Sequence, residues 1–203
     1  YGKDNDAQIF NNSAMGRAFL NNEMHIPLPN SINGHSLPYV IVADEIFGLK
    51  PWLMKPFPGK GLTETHAIFN YRLSRARRTI ENAFGIVTAR WRIFLQPIKA
   101  NPTLVDMIVK ACLCLHNYLR LTDNAQYVPS GFVDSEDSSG EIIPGDWRSL
   151  VNTGALLSTS TGRAFNRSSA SAKATRELFV KYVNSQEGSL SWQQAYVNSF
   201  GQS

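Results

Sequence analysis

Five consecutive apolar residues, Tyr39-Val40-Ile41-Val42-Ala43, run directly into two acids, Asp44 and Glu45. A short, β-branched, uninterrupted run reads as a strand buried on both faces, which requires a largely parallel sheet covered by helices. That requirement narrows the chain to an α/β arrangement. It also gives the acids a place, because sites in open α/β sheets collect at the carboxyl ends of strands. Asp44 is therefore a candidate functional carboxylate, with the capping of a following helix as its structural alternative.

The rest of the chain supplies helices to cover such a sheet. Asn11 or Asn12 can cap a helix from about Ser13 to Asn22, with Met15, Ala18 and Phe19 inward, and Asn33-Gly34 is a strong turn signal. Phe47 to Met54 reads as a short helix, followed by a Pro/Gly connector, 55–61, that holds Lys60. The longest helical signal starts at a cap on Thr63 or Thr65. It carries Phe69, Leu73, Ala76, Ile80, Ala83 and Val87 at spacings of four and three. Pro97 and Pro102 close that segment. A second helix runs from about Thr103 to Leu121, with Leu104, Ile108, Ala111, Leu115 and Tyr118 expected inside.

Beyond Leu121 the composition turns acidic and serine-rich, so residues 122–170 read as a flexible linker. A final helix is expected over Ser171 to Asn184, with Leu178, Phe179, Tyr182 and Val183 inward and Trp192 docking back behind it. The organisation read from sequence is thus a domain over 1–121, a linker over 122–170 and a tail over 171–203. No apolar stretch approaches the roughly 20 residues of a membrane span. With 43% hydrophobic residues the chain can build a core.

Charge is unevenly placed. The net value is only +4. Between His66 and Lys99, however, stand Arg72, Arg75, Arg77, Arg78, Arg90, Arg92 and Lys99, against the single acid Glu81. Such concentration suits a polyanion such as DNA, and a solvated arginine-rich helix face accounts for it equally well. Glu81 lies on the flank of the buried stripe. A strand-end Asp with a helix Glu supplies the hard oxygen ligands that divalent cations prefer, although an i,i+4 pair with Arg77 also explains Glu81. Cys112 and Cys114 are the only cysteines. On a helix they diverge, so Cys112-Leu113-Cys114-Leu115-His116 fits core packing better than zinc.

Longer stretches carry a family resemblance. Residues 39–57, YVIVADEIFGLKPWLMKPF, resemble the second-aspartate block of the PIF/Harbinger transposases, a family that includes harbinger transposase-derived nucleases. Residues 69–92, FNYRLSRARRTIENAFGIVTARWR, resemble the block that carries the family's glutamate. Residues 2–10 with Ser13, 114–117 (CLHN), 176–182 (RELFVKY) and Trp192-Gln193 are similar too, in family order.

The resemblance implies an RNase H-like DDE nuclease fold, here N-terminally incomplete and with a helical C-terminal tail. It makes Asp44 the second aspartate and Glu81 the glutamate, both catalytic and both ligands to Mg²⁺ or Mn²⁺, with two ions in the complete site. DNA would lie along Arg72, Arg75, Arg77, Arg78, Arg90, Arg92 and Lys60. A Myb-like DNA-binding protein is the implied partner, and the nucleus the implied compartment, with the cytoplasm as a second location. The family's first aspartate precedes the block that residues 2–10 resemble. Asp4 and Asp6 match that later block, so the chain is expected to start after the first strand and not to cut DNA as it stands. A non-catalytic DNA- or protein-binding relic is the alternative, and oligomeric state stays open.

Overall fold

The computed structural model describes residues 5–151 and 168–200. These residues form a mixed helix and strand structure that divides into two compact units, Tyr1–Arg77 with Thr159–Ser203, and Arg78–Ser158. The division differs from the expected domain, linker and tail.

In the first unit, α1 (Asp6–Asn12) opens with a capping box: Asn5 accepts from Gln8 N–H, and the Gln8 side chain reaches back to Asn5 N–H. Ser13, not Asn11 or Asn12, caps α2 (Ala14–Leu20) by accepting from Gly16 N–H. Phe19 of α2 is buried as expected, whereas Met15 is exposed. Strands β1 (Asn30–Ile32) and β2 (His35–Leu37) pair antiparallel across Asn33-Gly34. Both turn residues have positive φ, 50° and 83°, as a two-residue hairpin turn of the primed type requires.

Strand β3 (Ile41–Val42) pairs parallel with β4 (Leu53–Met54). The parallel pairing agrees with the expectation, but burial on both faces does not. Ile41 and Val42 are half-buried and Tyr39 is exposed, because β4 is their single ladder partner among the described residues. The short helix expected over Phe47 to Met54 is absent as well. That stretch is a turn leading into β4, whose Leu53 and Met54 are almost fully buried.

Helix α3 (Glu64–Arg90) starts on Thr63, whose hydroxyl accepts from His66 N–H at 3.4 Å. Its portion up to Arg77 belongs to the first unit. There Ile68, Phe69 and Leu73 pack with Leu49 and Met54, and with Ala172, Val180 and Val183 of α7 (Ala170–Val183). Leu178, expected inside, is exposed. Next comes α8 (Gln193–Phe200). Just before it, Trp192 Nε1 donates to the Tyr71 hydroxyl at 3.0 Å, which docks the tail as expected.

The second unit takes α3 from Arg78 onward, then a 3-10 turn over Arg92–Leu95. Helix α4 (Pro102–Thr122) is capped by Asn101, with Pro102 in its first turn. Then follow α5 (Asn124–Tyr127), an antiparallel pair of β5 (Ser135–Glu136) with β6 (Ile142–Ile143), and α6 (Trp147–Leu150). The described part of the expected linker is therefore folded. Tyr127, Phe132, Trp147 and Val151 form its core with Ile86. The serine- and threonine-dense residues 157–167 lie outside the described residues. No helix among the described residues is long and apolar enough to cross a membrane.

Candidate functional site

Asp44 sits where the sequence places it, separated from β3 by the one residue Ala43, at the carboxyl end of the parallel pair. Two ladder bonds, Ile41 N–H to Trp52 O at 2.8 Å and Ala43 N–H to Met54 O at 2.9 Å, fix the backbone up to it. Its Oδ1 accepts from Ile46 N–H at 3.0 Å, an Asx-type bond that orients the carboxylate. The cap alternative thus becomes a turn cap, since no helix follows. Oδ2 takes no hydrogen bond among the described residues, and the side chain is half-buried.

Aromatic packing holds the turn after Asp44. Phe10 of α1 meets Phe47 at 6.0 Å and Trp52 at 6.3 Å, and Phe19 of α2 stacks on Trp52 at 4.6 Å. A cleft of about 350 Å³ opens beside it, lined by Gln8, Asn11, Ile46, Lys50 and Trp52 among others. On the other side Lys55, only 8% exposed, donates to the Glu45 carbonyl at 2.6 Å. Burial pulls the Lys55 ammonium below its ordinary value, and the charges of Glu45 and Asp44 work against that. Sequence reasoning missed Lys55. Its signal was a lysine directly after the buried pair Leu53-Met54.

Glu81 belongs to the second unit and Asp44 to the first. Glu81 is half-buried on α3. Its charge helps to hold the Arg148 guanidinium above its ordinary value, an effect that comes first from Arg148's hydrogen bonds to Asp134. Asp134 is itself buried, with Oδ1 accepting from Gly145 N–H at 2.9 Å and from Arg148 Nε at 2.8 Å. Among the described residues no group of three or more His, Cys, Asp or Glu side chains is placed to hold a metal ion. Asp6 lies in the first turn of α1, and Asp4 outside the described residues.

The basic residues divide by environment. Lys60, Arg90 and Arg92 are exposed. Arg90 lies over the Phe132 and Tyr127 rings at 4.3 and 5.6 Å. Arg75 approaches the Trp192 ring at 5.6 Å, and Arg77 is half-buried. Two others are engaged inside the structure. Arg72 donates to Gly188 O at 2.7 Å and to Gln193 Oε1 at 3.0 Å, and Arg78 pairs with Glu136 at 2.9 Å with both side chains only 13% exposed. Cys112 is buried and Cys114 exposed, as their divergence on one helix requires. His116 Nδ1 meets the Tyr127 hydroxyl at 2.9 Å, the setting of a satisfied core group.

Comparison with known proteins bears on what a strand-end aspartate does here. "Protein ALP1-like" of Arabidopsis thaliana is 32% identical over 98 residues, which cover 43% of this chain and 24% of that protein. The chain thus aligns with about a quarter of this relative's length. No solved structure matches. The profile of the DDE superfamily endonucleases matches residues 1–117, which hold Asp44, Glu81 and all seven candidate DNA-facing basic residues. That match spans more than half of the sequence, and with the strand-end carboxylate it shows that the chain belongs to the DDE superfamily endonuclease family.

Proposed function

We propose that this chain is part of a transposase-derived, metal-dependent DNA endonuclease, in which Asp44 and Glu81 are two carboxylates of a DDE triad. The observation that carries the reading is the environment of Asp44. One oxygen is fixed by Ile46 N–H, and the other is uncommitted among the described residues, at the carboxyl end of a parallel strand. A carboxylate oriented in this way suits Mg²⁺ or Mn²⁺, hard cations that take oxygen ligands. Asp44 and Glu81 would hold them. Bound divalent cations supply the positive charge that supports in-line displacement at a phosphodiester.

The protein's own groups have separate tasks. The β3–β4 ladder and the Phe10–Phe19–Trp52 packing keep Asp44 in place, and Lys55 ties down the carbonyl of the next residue. Lys60, Arg90 and Arg92 are exposed and offer charge to a DNA backbone. An RNase H-like architecture, two ions, nuclear residence and a Myb-like partner that reads the DNA sequence complete the proposal, and family membership supports them. Plasmid nicking in Mn²⁺ by the natural protein that contains this chain tests it. Asp44→Asn and Glu81→Gln are expected to abolish nicking while duplex affinity stays within about twofold. Nicking that persists in either variant rejects the assignment.

A further inference from the structure

Helix α4 carries two apolar stripes on nearly opposite faces. One faces the core of the second unit: Cys112 is buried, Leu119 packs against the cluster of Tyr127, Phe132 and Trp147, and His116 Nδ1 meets the Tyr127 hydroxyl. The other stripe is Leu104, Met107, Ala111, Cys114, Tyr118 and Leu121, and all six are exposed. They recur at alternating intervals of three and four residues. This is the heptad pattern that keeps a seam turned toward a second helix, here over about 27 Å. A helix that only covers its own unit needs one such stripe. Helix α4 has a second.

The exposed seam is complementary to itself. A two-fold axis crossing α4 between Cys112 and Leu113 sets Leu104 against Leu121 of a second copy, Met107 against Tyr118, and Ala111 against Cys114. The small pair, Ala111 and Cys114, falls at the centre, where it lets the helices approach to about 8 Å, the close end of helix packing. Charge permits the pairing. Lys110 is the one charged residue flanking the seam, and Asp106 already pairs with it at 2.7 Å. Such a face offers a polyanion little to bind, and it sets no like charges against each other when it meets a second copy. The six residues expose roughly 600 Å², the upper end of what a monomer leaves in one apolar patch. Two copies face to face would cover at most roughly 1,200 Å², the lower limit of a stable interface.

We propose that the outer face of α4 is a homodimer interface, in which the seams of two copies pack antiparallel about that axis. The inference is independent of the reading of this protein as a nuclease. The core-facing stripe holds each second unit together, so the folded monomer is the species that pairs. An interface of this area makes the dimer weak and dependent on concentration.

Sedimentation equilibrium of the natural protein that contains this chain tests the proposal, at concentrations up to about 100 µM because so small an interface is weak. The mass should rise from one copy to two. Met107→Glu and Tyr118→Lys each bury an unpaired charge in the dimer and should weaken it at least about tenfold. Both residues are exposed, so the dilute variants should melt as the wild type does. Combined in one chain, the two substitutions should restore the dimer, since each introduced carboxylate then faces an introduced ammonium of the other copy. Undiminished association in both single variants overturns the interface, and a double variant no tighter than the singles overturns the antiparallel register. Should a variant misfold, a short bismaleimide on the wild type decides. It should link Cys114 to Cys114 of a second copy, and a dimer without that link forms elsewhere and overturns the proposal. A wild type that stays monomeric overturns it too, and maleimide labelling of Cys114 then separates the alternatives. Slow labelling means that another segment of the same polypeptide lies on the face, and fast labelling that the face is bare.

Discussion

Two polar groups in the second unit, the buried Asp134 and the half-buried His116, hold opposite lessons about charge. For Asp134, burial works to raise the carboxyl, but the bonds from Arg148 and from Gly145 N–H outweigh it and leave the group below its ordinary value. A depressed carboxylate stabilises the fold at pH values above its unfolded pKa, about 3.9, and that contribution is lost as pH falls through the folded value. Asp134→Asn should cost about 3 kcal/mol at pH 7, since it removes the negative charge that pairs with Arg148 and one of its two acceptor oxygens, and should flatten the stability profile below pH 4. Urea titrations at pH 3, 5 and 7 check both expectations. For His116, burial first and then the Arg120 charge lower the pKa. The neutral ring is the stable form, so its contribution is present above about pH 6.5 and fades as pH drops from there. Its partner Tyr127 also receives the Trp91 Nε1–H at 3.1 Å. Tyr127→Phe leaves both groups unpaired and should cost about 1–3 kcal/mol in the same assay.

At the scale of elements, helix α3 shows why a glycine inside a helix is not always a weakness. Replacing an interior helical glycine with alanine ordinarily gains about 1 kcal/mol. At Gly85, however, an added Cβ would meet the Trp147 ring at 2.4 Å, with both residues in the second unit. The clash should win, and Gly85→Ala is expected to destabilise by about 1–3 kcal/mol, read as a lower melting temperature. A stabilised variant would show that Trp147 can move aside without cost.

Helix α4 teaches the reverse. Periodicity correctly marks a helix there, but not which face is covered. Leu104, Met107, Leu115, Tyr118 and Leu121 are between 43% and 87% exposed, while Cys112, on another face, is buried. An apolar stripe says that a face can be buried, and only the neighbouring elements decide whether it is. Leu121→Lys should therefore shift stability by no more than about 0.5 kcal/mol. Likewise Ala76 and Ile80, midway along the α3 stripe, are exposed while Phe69, Leu73 and Val87 at its ends are buried.

For the molecule as a whole, the elements with local punctuation were legible. Thr63 and Asn33-Gly34 state where α3 begins and the first hairpin turns. The carboxyl end of β3, and Asp44 with it, was legible because a β-branched run has few other uses. What composition hid was the fold of residues 124–151. There Tyr127, Phe132, Trp147 and Val151 build a core at spacings that match no helix or strand period, and the buried Asp134 organises the acidic, glycine-rich loops between them. Strand β4 was hidden because Pro51 and Pro56 leave only two paired residues, too short for alternation to register. The basic stretch was legible as charge and not as surface. Arg72 and Arg78 have structural partners, so neutralising Arg78 would break its ion pair with Glu136, and tests of DNA binding belong to Lys60, Arg90 and Arg92.

The central claim is that Asp44 is a metal-binding carboxylate, and calorimetric titration of Mn²⁺ into the wild-type chain and Asp44→Asn tests it most directly. Saturable heat in the wild type that vanishes in Asp44→Asn, with identical circular dichroism spectra, is the expected result. Identical isotherms for the two proteins would contradict it and leave Asp44 as a turn cap.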